Sequence, residues 1–530
     1  MPSRVAQLEA LSQRRFDVLV VGGGITGAGI ARDAVLRGLG VALIDKGDFA
    51  SGTSSRSSRL VHGGVRYLEH GHLHLVFEAS AERRRLLRLA PHLVRPLAFT
   101  WPVYRGQRLS VWKLSAGLML YDLLSLFRNV ARYKRLRPRD VLAHEPRVQR
   151  ADLRGGVRYF DAATDDSRLT LANALDAQAL GAVVANYVAF VRAEPAGGGG
   201  WIVRLRDELS GREIGGGTQA RLLVNATGPW NDMMRGSDAT AERTRVQGSK
   251  GTHVSVRRER VGNRDAITLL HPADGRVMFA LPAGVHTIIG TTDTFTDVPP
   301  DDVRASRADV EYLLSAANLF FPDARLAAGD VIAAWAGIRP LMPTSGSSVA
   351  ASREHAIVRD DQGTVTITGG KLTTYRVMAR DAVDAAQEML GMRTSRADTG
   401  TRPLPGADVD VALAVKEAMR ATGDASLANR LVQGYGSAWR DVQAYCARDH
   451  AAGAAIVDGL PYRMGEMRWS LERELAFTLG DLLIRRTRIA FETPDNGRSA
   501  ARAVAAFLGM TAADVERYDL DVARMFAIDP

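Results

Sequence analysis

Along the first fifty residues the apolar pattern changes period twice. FDVLVV, Phe16–Val21, is an unbroken apolar run of strand length, and GGGITG follows it. ITGAGIARDAVLRG then carries small and apolar residues at helical spacing as far as Gly38, and VALID, Val41–Asp45, is a second apolar run closing on an acid. A short continuous run predicts a strand buried on both faces of a parallel sheet, and the helical spacing predicts the helix that covers it. Two later runs repeat the device. RLLVNATGPW, Arg221–Trp230, is a strand ending in a small-residue turn; VTITGGKLTTYR, Val365–Arg376, is a strand, then Gly369 and Gly370, then a helix start. Elsewhere the pattern alternates: HVSV, AITLLHP, RVMFALP and HTIIGTTD predict an antiparallel sheet. AGGGG before WIVRLRD and IGGGT before RLLVN mark turns between antiparallel strands. TDDSRLTLANAL, Thr164–Leu175, predicts a helix with Asp165, Asp166 and Ser167 at its N-terminus.

TSRADTGTRPLPGADVD, at about 394–410, is polar and proline-bearing and reads as a linker. Beyond it VALAVKEAMRATG, RLVQGYG, DVQAYCARDH, RELAFTLGDLLIRRTRIAF and SAARAVAAFLGM have helical periodicity. DLLIRRTRIAF is apolar and basic together, which suits either contact with lipid or a packed helix with an exposed basic edge. No internal repeat is visible, and 530 residues are enough for roughly two to four domains.

The first loop carries the most specific chemistry. Gly22, Gly24 and Gly27 occupy the G-x-G-x-x-G positions between a strand and a helix, and Asp45 closes the second strand. Gly22 permits the tight turn, Gly24 lets the backbone approach a pyrophosphate, and Gly27 lets helix and strand pack closely. The helix N-terminus receives the phosphates and the acid accepts ribose hydroxyls. With strand, loop, helix, strand and acid all in order, a bound dinucleotide is expected. Three separated strand–glycine units converging on one ligand suit a large, extended cofactor, so FAD is preferred over NAD.

Composition narrows the partners. The formal charge of +10 favours an acidic surface or substrate. The basic residues interleave with apolar helices rather than with aromatic stacking platforms, so no nucleic-acid partner is expected. Cys446 is the single cysteine, which excludes internal disulfides, CxxC redox chemistry and cysteine-rich metal sites. The N-terminus lacks an apolar core of signal-peptide length, so a cytoplasmic chain is expected. LSVWKLSAGLMLYDLLSLF, Leu109–Phe127, is interrupted by Lys113 and Asp122, and a charge at the bilayer centre costs about 3 kcal/mol or more. Arg105 and Arg108 precede it and Arg128, Arg132, Lys134, Arg135, Arg137 and Arg139 follow. An apolar helix framed by cations can lie in a lipid headgroup plane; the alternative is a buried helix with a solvated basic end.

GGGITGAGIARDAVLRG, SSRLVHGGVRYLE, NATGPW, GTTDT, AGIRPL and GGKLTTYR together resemble the respiratory, membrane-associated FAD-dependent glycerol-3-phosphate dehydrogenase family, in order from about residue 16 to about 400. The resemblance implies an α/β fold: an FAD-binding Rossmann-like domain, an antiparallel-sheet substrate domain and a C-terminal α-helical domain. The expected cofactor-binding domain is discontinuous (1–71, 151–245 and 335–395), with 72–150 and 246–334 as substrate or cap domain and 396–530 as the helical domain. The implied reaction is oxidation of sn-glycerol 3-phosphate to dihydroxyacetone phosphate, with a hydride passing to noncovalent FAD and electrons onward to membrane quinone. The implied location is peripheral, on an anionic lipid surface at the inner face of the cytoplasmic membrane, and a homodimer is the candidate assembly. An oxygen-reducing oxidase is the alternative enzyme, although that branch carries a longer mid-chain insertion not seen here; a non-catalytic basic lipid- or nucleic-acid-binding protein is the alternative of another class.

A phosphate dianion held away from water needs two or more cations. Arg66 and Tyr67 in HGGVRYLE, Arg339 in AGIRPL, Arg353 in SREHAIVRD and Lys371 in GGKLTTYR are the candidate substrate ligands, which the resemblance gathers on the substrate side of the flavin. His62 is the candidate proton acceptor, since a histidine pKa lies near operating pH. Arg339 and Lys371 are placed beside it as catalytic. Cofactor contacts are expected from Gly22, Gly24, Gly27, Asp45, Thr53, Ser54, Gly63, Gly64, Gly228, Gly370, Lys371, Leu372 and Thr373. Asp293 in IIGTTDT is a candidate neighbour. His70, His72 and His74 alternate, but hydride transfer to flavin requires no metal and none is expected.

Overall fold

The structure is a computed structural model in which residues 3–64, 73–124, 130–234, 247–341 and 354–530 are described. Arg66, Tyr67 and Arg353 lie outside the described residues.

Two sheets organise the chain. In the first, the order is His355–Arg359, Thr364–Gly369, Thr218–Asn225, Arg15–Val21, Val41–Ile44 and Val183–Ala185. Its central strands are parallel, with Val21 opposite both Asn225 and Ile44. The unbroken apolar run explains this position. Val18 and Val20 pack against the helices Ile25–Leu36 and Tyr375–Met389, while Phe16 and Leu19 pack on the other face against Leu11, Trp201 and Val203. A strand with only one apolar face would leave the second cluster wet.

The second sheet is largely antiparallel. Gln247–Arg257 lies between His286–Gly290 and Val331–Leu341, with His253 opposite Gly290 on one side and Trp335 on the other. Ala266–Leu270, Val277–Ala283, Val94–Tyr104 and Leu153–Thr164 continue it. Leu60–Val61, Leu153–Thr164 and Val331–Leu341 all pair within this second sheet. An apolar strand looks the same in either sheet; the partner decides, and Leu60–Val61 pairs with Ala162 and Ala163 about a hundred residues away.

The C-terminal segment is helical, from Val411–Thr422 to Ala512–Phe526. DLLIRR, Asp481–Arg486, forms one π-helical turn and is wholly buried, so its expected basic edge is not exposed. Asp48 Oδ2 accepts from Arg485 Nε at 2.6 Å and from Arg486 Nη1 at 2.7 Å, and Asn186 Nδ2 donates to Oδ1 at 2.9 Å. Burial alone would push the Asp48 carboxyl up; the two guanidiniums outweigh it and hold it below the usual carboxylate range. Removing one partner of a buried pair costs about 3–5 kcal/mol because the other charge stays buried. Asp48→Asn is therefore expected to lower the urea unfolding midpoint clearly, and an unchanged midpoint would show the pair to be dispensable.

The helix Val111–Leu124 buries Leu114, Leu118 and Tyr121 and exposes Trp112 (70 % accessible), Met119 and Leu123. Among the described residues no helix is long and apolar enough to cross a membrane.

Candidate active site

The glycine loop is built as a close backbone crossing. Gly22 has φ +108°, outside the range of ordinary side chains, and a Cβ on Gly27 would lie 1.8 Å from the Gly22 carbonyl oxygen. Gly24 is the N-cap of the helix Ile25–Leu36 and gives it no side-chain cap. The first helical N–H, that of Ile25, donates to Ser54 Oγ at 3.0 Å, and Thr53 Oγ1 donates to Ile338 O at 2.6 Å. Thr53 and Ser54 thus fasten the helix end to the second sheet. Asp45 accepts from the N–H groups of Gly23 (2.6 Å) and Gly47 (2.8 Å), and burial pushes its carboxyl up to about 6. Gly228 opens the turn after Thr218–Asn225, and Gly370 the turn after Thr364–Gly369. These features fit FAD: a helix N-terminus with a glycine N-cap and an adjacent acid are the donor and acceptor that a pyrophosphate and a ribose require.

Between the two sheets lies a cavity of about 280 Å3. Ile25 borders it from the glycine loop, Thr53 and Ser54 from the turn that follows Val41–Ile44, and Gly370, Lys371, Leu372 and Thr373 from the turn after Thr364–Gly369. His62 and Gly64 line it as well; the His62 N–H donates to Thr373 Oγ1 at 3.2 Å, which joins the two segments. Gly63 is held just behind, its N–H donating to Asp161 Oδ1 at 3.0 Å. Asp161 also accepts from Tyr121 OH at 2.9 Å and from Arg83, so the wall under His62 and Gly63 is locked by a buried charge pair.

The structure brings Arg56, Arg276, Arg339 and Lys371 to this one cavity. Arg339 donates to Thr291 Oγ1 at 3.0 Å and Thr292 O at 3.3 Å, and lies 3.6 Å from the Asp293 carboxylate. Asp293, expected only as a neighbour, is a buried wall residue that also accepts from Ser249. Arg276 donates to the Asp293 carbonyl at 2.7 Å. A Cβ on Gly251 would strike the Arg339 guanidinium at 2.4 Å, so the glycine in KGTHV leaves room for that side chain.

His253 is the residue that sequence reasoning passed over. It lies in a regular strand, only 2 % exposed, with its ring stacked on Trp335 at 5.5 Å between centroids. Ser58 Oγ is 2.8 Å from its Nε2. Burial, helped by the charges of Arg339 and Arg59, lowers the His253 pKa to about 3, so the ring is neutral. Arg56, Ser58, Asp161 and Arg276 were also missed as site residues. Ser58 lies within SSRLVHGGVRYLE and Arg56 just before it, but Asp161 and Arg276 belong to no local motif; a glycine inside each of two paired strands, Gly251 opposite Gly337, was the available signal for a close approach. Among the described residues no histidine–carboxylate–cysteine group is arranged to hold a metal.

A glycine cradle on a parallel sheet, facing a cation-lined cavity under a second sheet, defines a dinucleotide-dependent oxidoreductase acting on an anionic substrate. Comparison with known proteins agrees. Residues 17–384 match the FAD dependent oxidoreductase family, and residues 397–513 match the C-terminal domain of alpha-glycerophosphate oxidase. Glycerol-3-phosphate dehydrogenase 2 of Mycobacterium tuberculosis is 39% identical over 529 residues, covering 97% of this chain and 88% of its own. The structure of glycerol-3-phosphate dehydrogenase from Bacillus halodurans complexed with FAD is 31% identical, with a TM-score of 0.79, and the match covers 98% of this chain and 97% of that one. The FAD-bound L-alpha-glycerophosphate oxidase of Mycoplasma pneumoniae, 17% identical with a TM-score of 0.57 over 74% of this chain and 98% of its own, shares the fold alone. The chain belongs to the glycerol-3-phosphate dehydrogenase family of FAD-dependent oxidoreductases.

Proposed function

We propose that this chain oxidises sn-glycerol 3-phosphate to dihydroxyacetone phosphate and passes the electrons to membrane quinone. The observation that carries the reading is the convergence of Arg56, Arg276, Arg339 and Lys371 on a cavity bordered by the glycine turns. In family members FAD supplies the two-electron acceptor. The chain's own residues do the rest. The Arg339 fork, pre-set by Thr291, Thr292 and Asp293, holds the phosphate together with Lys371, and Arg66, Tyr67 and Arg353 complete that grip. Leu372 and Thr373, with Gly22, Gly24, Gly27 and Gly228, seat the cofactor. His253 takes the hydroxyl proton; it is neutral and lines the same cavity as the phosphate cations, while His62, which lines that cavity too, is tied by its main chain to the turn that carries Lys371.

The exposed Trp112, Met119 and Leu123, flanked by Arg105, Arg108, Arg132, Lys134 and Arg135, support docking of the helix Val111–Leu124 on an anionic lipid surface at the inner face of the cytoplasmic membrane. That placement would bring the chain to the membrane that holds quinone, which supports quinone as the acceptor.

The test is anaerobic. The purified holoenzyme, yellow from flavin, is expected to bleach with glycerol 3-phosphate and not with glycerol. Reoxidation is expected to be fast with quinone in anionic vesicles and slow in air. Fast reoxidation by air would establish the oxidase instead, and bleaching by glycerol at equal concentration would sink the phosphate reading.

A further inference from the structure

The wall of the cavity holds a serine–histidine pair whose serine has no task so far. Ser58 and His253 both border the cavity, and Ser58 Oγ stands 2.8 Å from His253 Nε2. The other ring nitrogen, Nδ1, is sealed from solvent and makes no hydrogen bond among the described residues. Trp335 covers one face of the ring, and Gly290 lies so close to the ring that a Cβ there would be 2.2 Å from Cδ2. A proton reaching this histidine therefore arrives at Nε2, and the group already standing at Nε2 is the Ser58 hydroxyl.

The chain fixes that hydroxyl from both sides. The Ser57 hydroxyl donates to Asp166 Oδ2 at 2.7 Å and accepts from the Arg59 N–H at 2.9 Å. Asp166 is held in turn by Arg488 Nη2, 2.6 Å away, from the C-terminal helical segment. The Arg59 carbonyl accepts from the Thr164 N–H at 2.9 Å. Arg59 itself has φ +55°, a left-handed conformation that a long side chain adopts only when its surroundings impose it. Ser58 is thus presented at the cavity by a main chain anchored on each flank.

We propose that Ser58 is a catalytic residue that relays the substrate proton to His253. The substrate C2 hydroxyl gives its proton to Ser58 Oγ while the Ser58 proton passes to His253 Nε2. As the C2–O bond becomes a carbonyl, the C2–H hydrogen leaves with its electron pair as the hydride that a bound FAD would accept, and His253 ends as an imidazolium. The neutral state of His253 is the one an acceptor needs, and a phosphate dianion on Arg339 offsets the positive field that would oppose its protonation. A hydroxyl that both donates and accepts can carry out both halves of the transfer without moving its oxygen.

The proposal rests on the alcohol-oxidation reading above, and the experiment separates the two. Flavin reduction by glycerol 3-phosphate is followed by anaerobic stopped flow in the full-length holoenzyme carrying Ser58→Ala, Ser58→Thr, His253→Asn, or Ser58→Ala with His253→Asn. Ser58→Ala is expected to lower the limiting reduction rate by about a hundredfold, the usual weight of a positioned proton-transfer group, with the substrate Kd within about threefold. The double variant is expected to be no slower than His253→Asn, because two members of one relay are lost only once. Ser58→Thr, which keeps the hydroxyl, recovers most of the rate. Reduction by Ser58→Ala within about threefold of the unaltered enzyme, full multiplication of the two losses, or a threonine variant as slow as alanine overturns the relay. If the unaltered holoenzyme is not reduced at all, the function reading fails, not the relay.

Discussion

Arg339→Ala is expected to lower kcat/KM for glycerol 3-phosphate by about a hundredfold, the equivalent of one charged hydrogen-bonding contact of about 3 kcal/mol. Three partners hold the guanidinium, and they come from a single turn, Thr291–Asp293. The fork therefore meets the phosphate without reordering, and its loss is felt as lost binding of both ground state and transition state. Arg339→Lys is expected to remain at least tenfold impaired, since an ammonium is a point charge and cannot satisfy Thr291, Thr292 and Asp293 while facing a substrate. The removed charge also exposes a cost inside the protein: Asp293 is 4 % exposed and loses a neighbouring cation, although Ser249 still donates to it. Thermal unfolding of the variant, measured beside the kinetics, separates that cost from the catalytic one. Kinetics indistinguishable from the unaltered enzyme would take Arg339 out of the site.

Gly27→Ala is expected to yield a protein that no longer retains FAD. Its Cβ would fall 1.8 Å from the Gly22 carbonyl oxygen, and both partners are backbone, so the loop or the helix must move by more than an ångström. Either movement takes the helix N-terminus away from the pyrophosphate position. Gly24→Ala is the informative comparison. Its Cβ would meet only Ser54 Oγ, at 3.2 Å, so the polypeptide tolerates it; any loss of FAD then comes from the cofactor's own approach to the backbone. Absorbance at the flavin band and the unfolding midpoint, read on both variants, should separate: Gly27→Ala loses colour and stability, Gly24→Ala loses colour alone. A yellow Gly27→Ala protein of ordinary stability would show that the close crossing is not what seats the cofactor.

The contrast between the loop and the proton acceptor shows what a linear pattern can carry. The crossing of Gly22 and Gly27 and the reach from Gly23 to Asp45 span fewer than thirty residues, so the spacing itself encodes the geometry. His253 is 195 positions from Ser58, and Arg486 is 438 positions from Asp48. Nothing local distinguishes His253 from any histidine in an alternating strand, and the two arginines of DLLIRR looked like a solvated or lipid-facing edge because their acid lies in another domain. The membership of Leu60–Val61, Leu153–Thr164 and Val331–Leu341 in the second sheet has the same cause: pairing is chosen by partners, not by composition.

By itself the amino-acid sequence determined the cofactor loop, the α/β class with an antiparallel second sheet, and the helical C-terminal segment, because each follows from periodicity and turn chemistry over short spans. Tertiary structure alone decided which cations share a cavity, that a buried neutral histidine stands beside them with a serine at its open nitrogen, and that the C-terminal arginines brace the loop of Asp48 and Ser57. Those features depend on desolvation and on contacts between distant segments, and both come into being only when the chain has closed on itself.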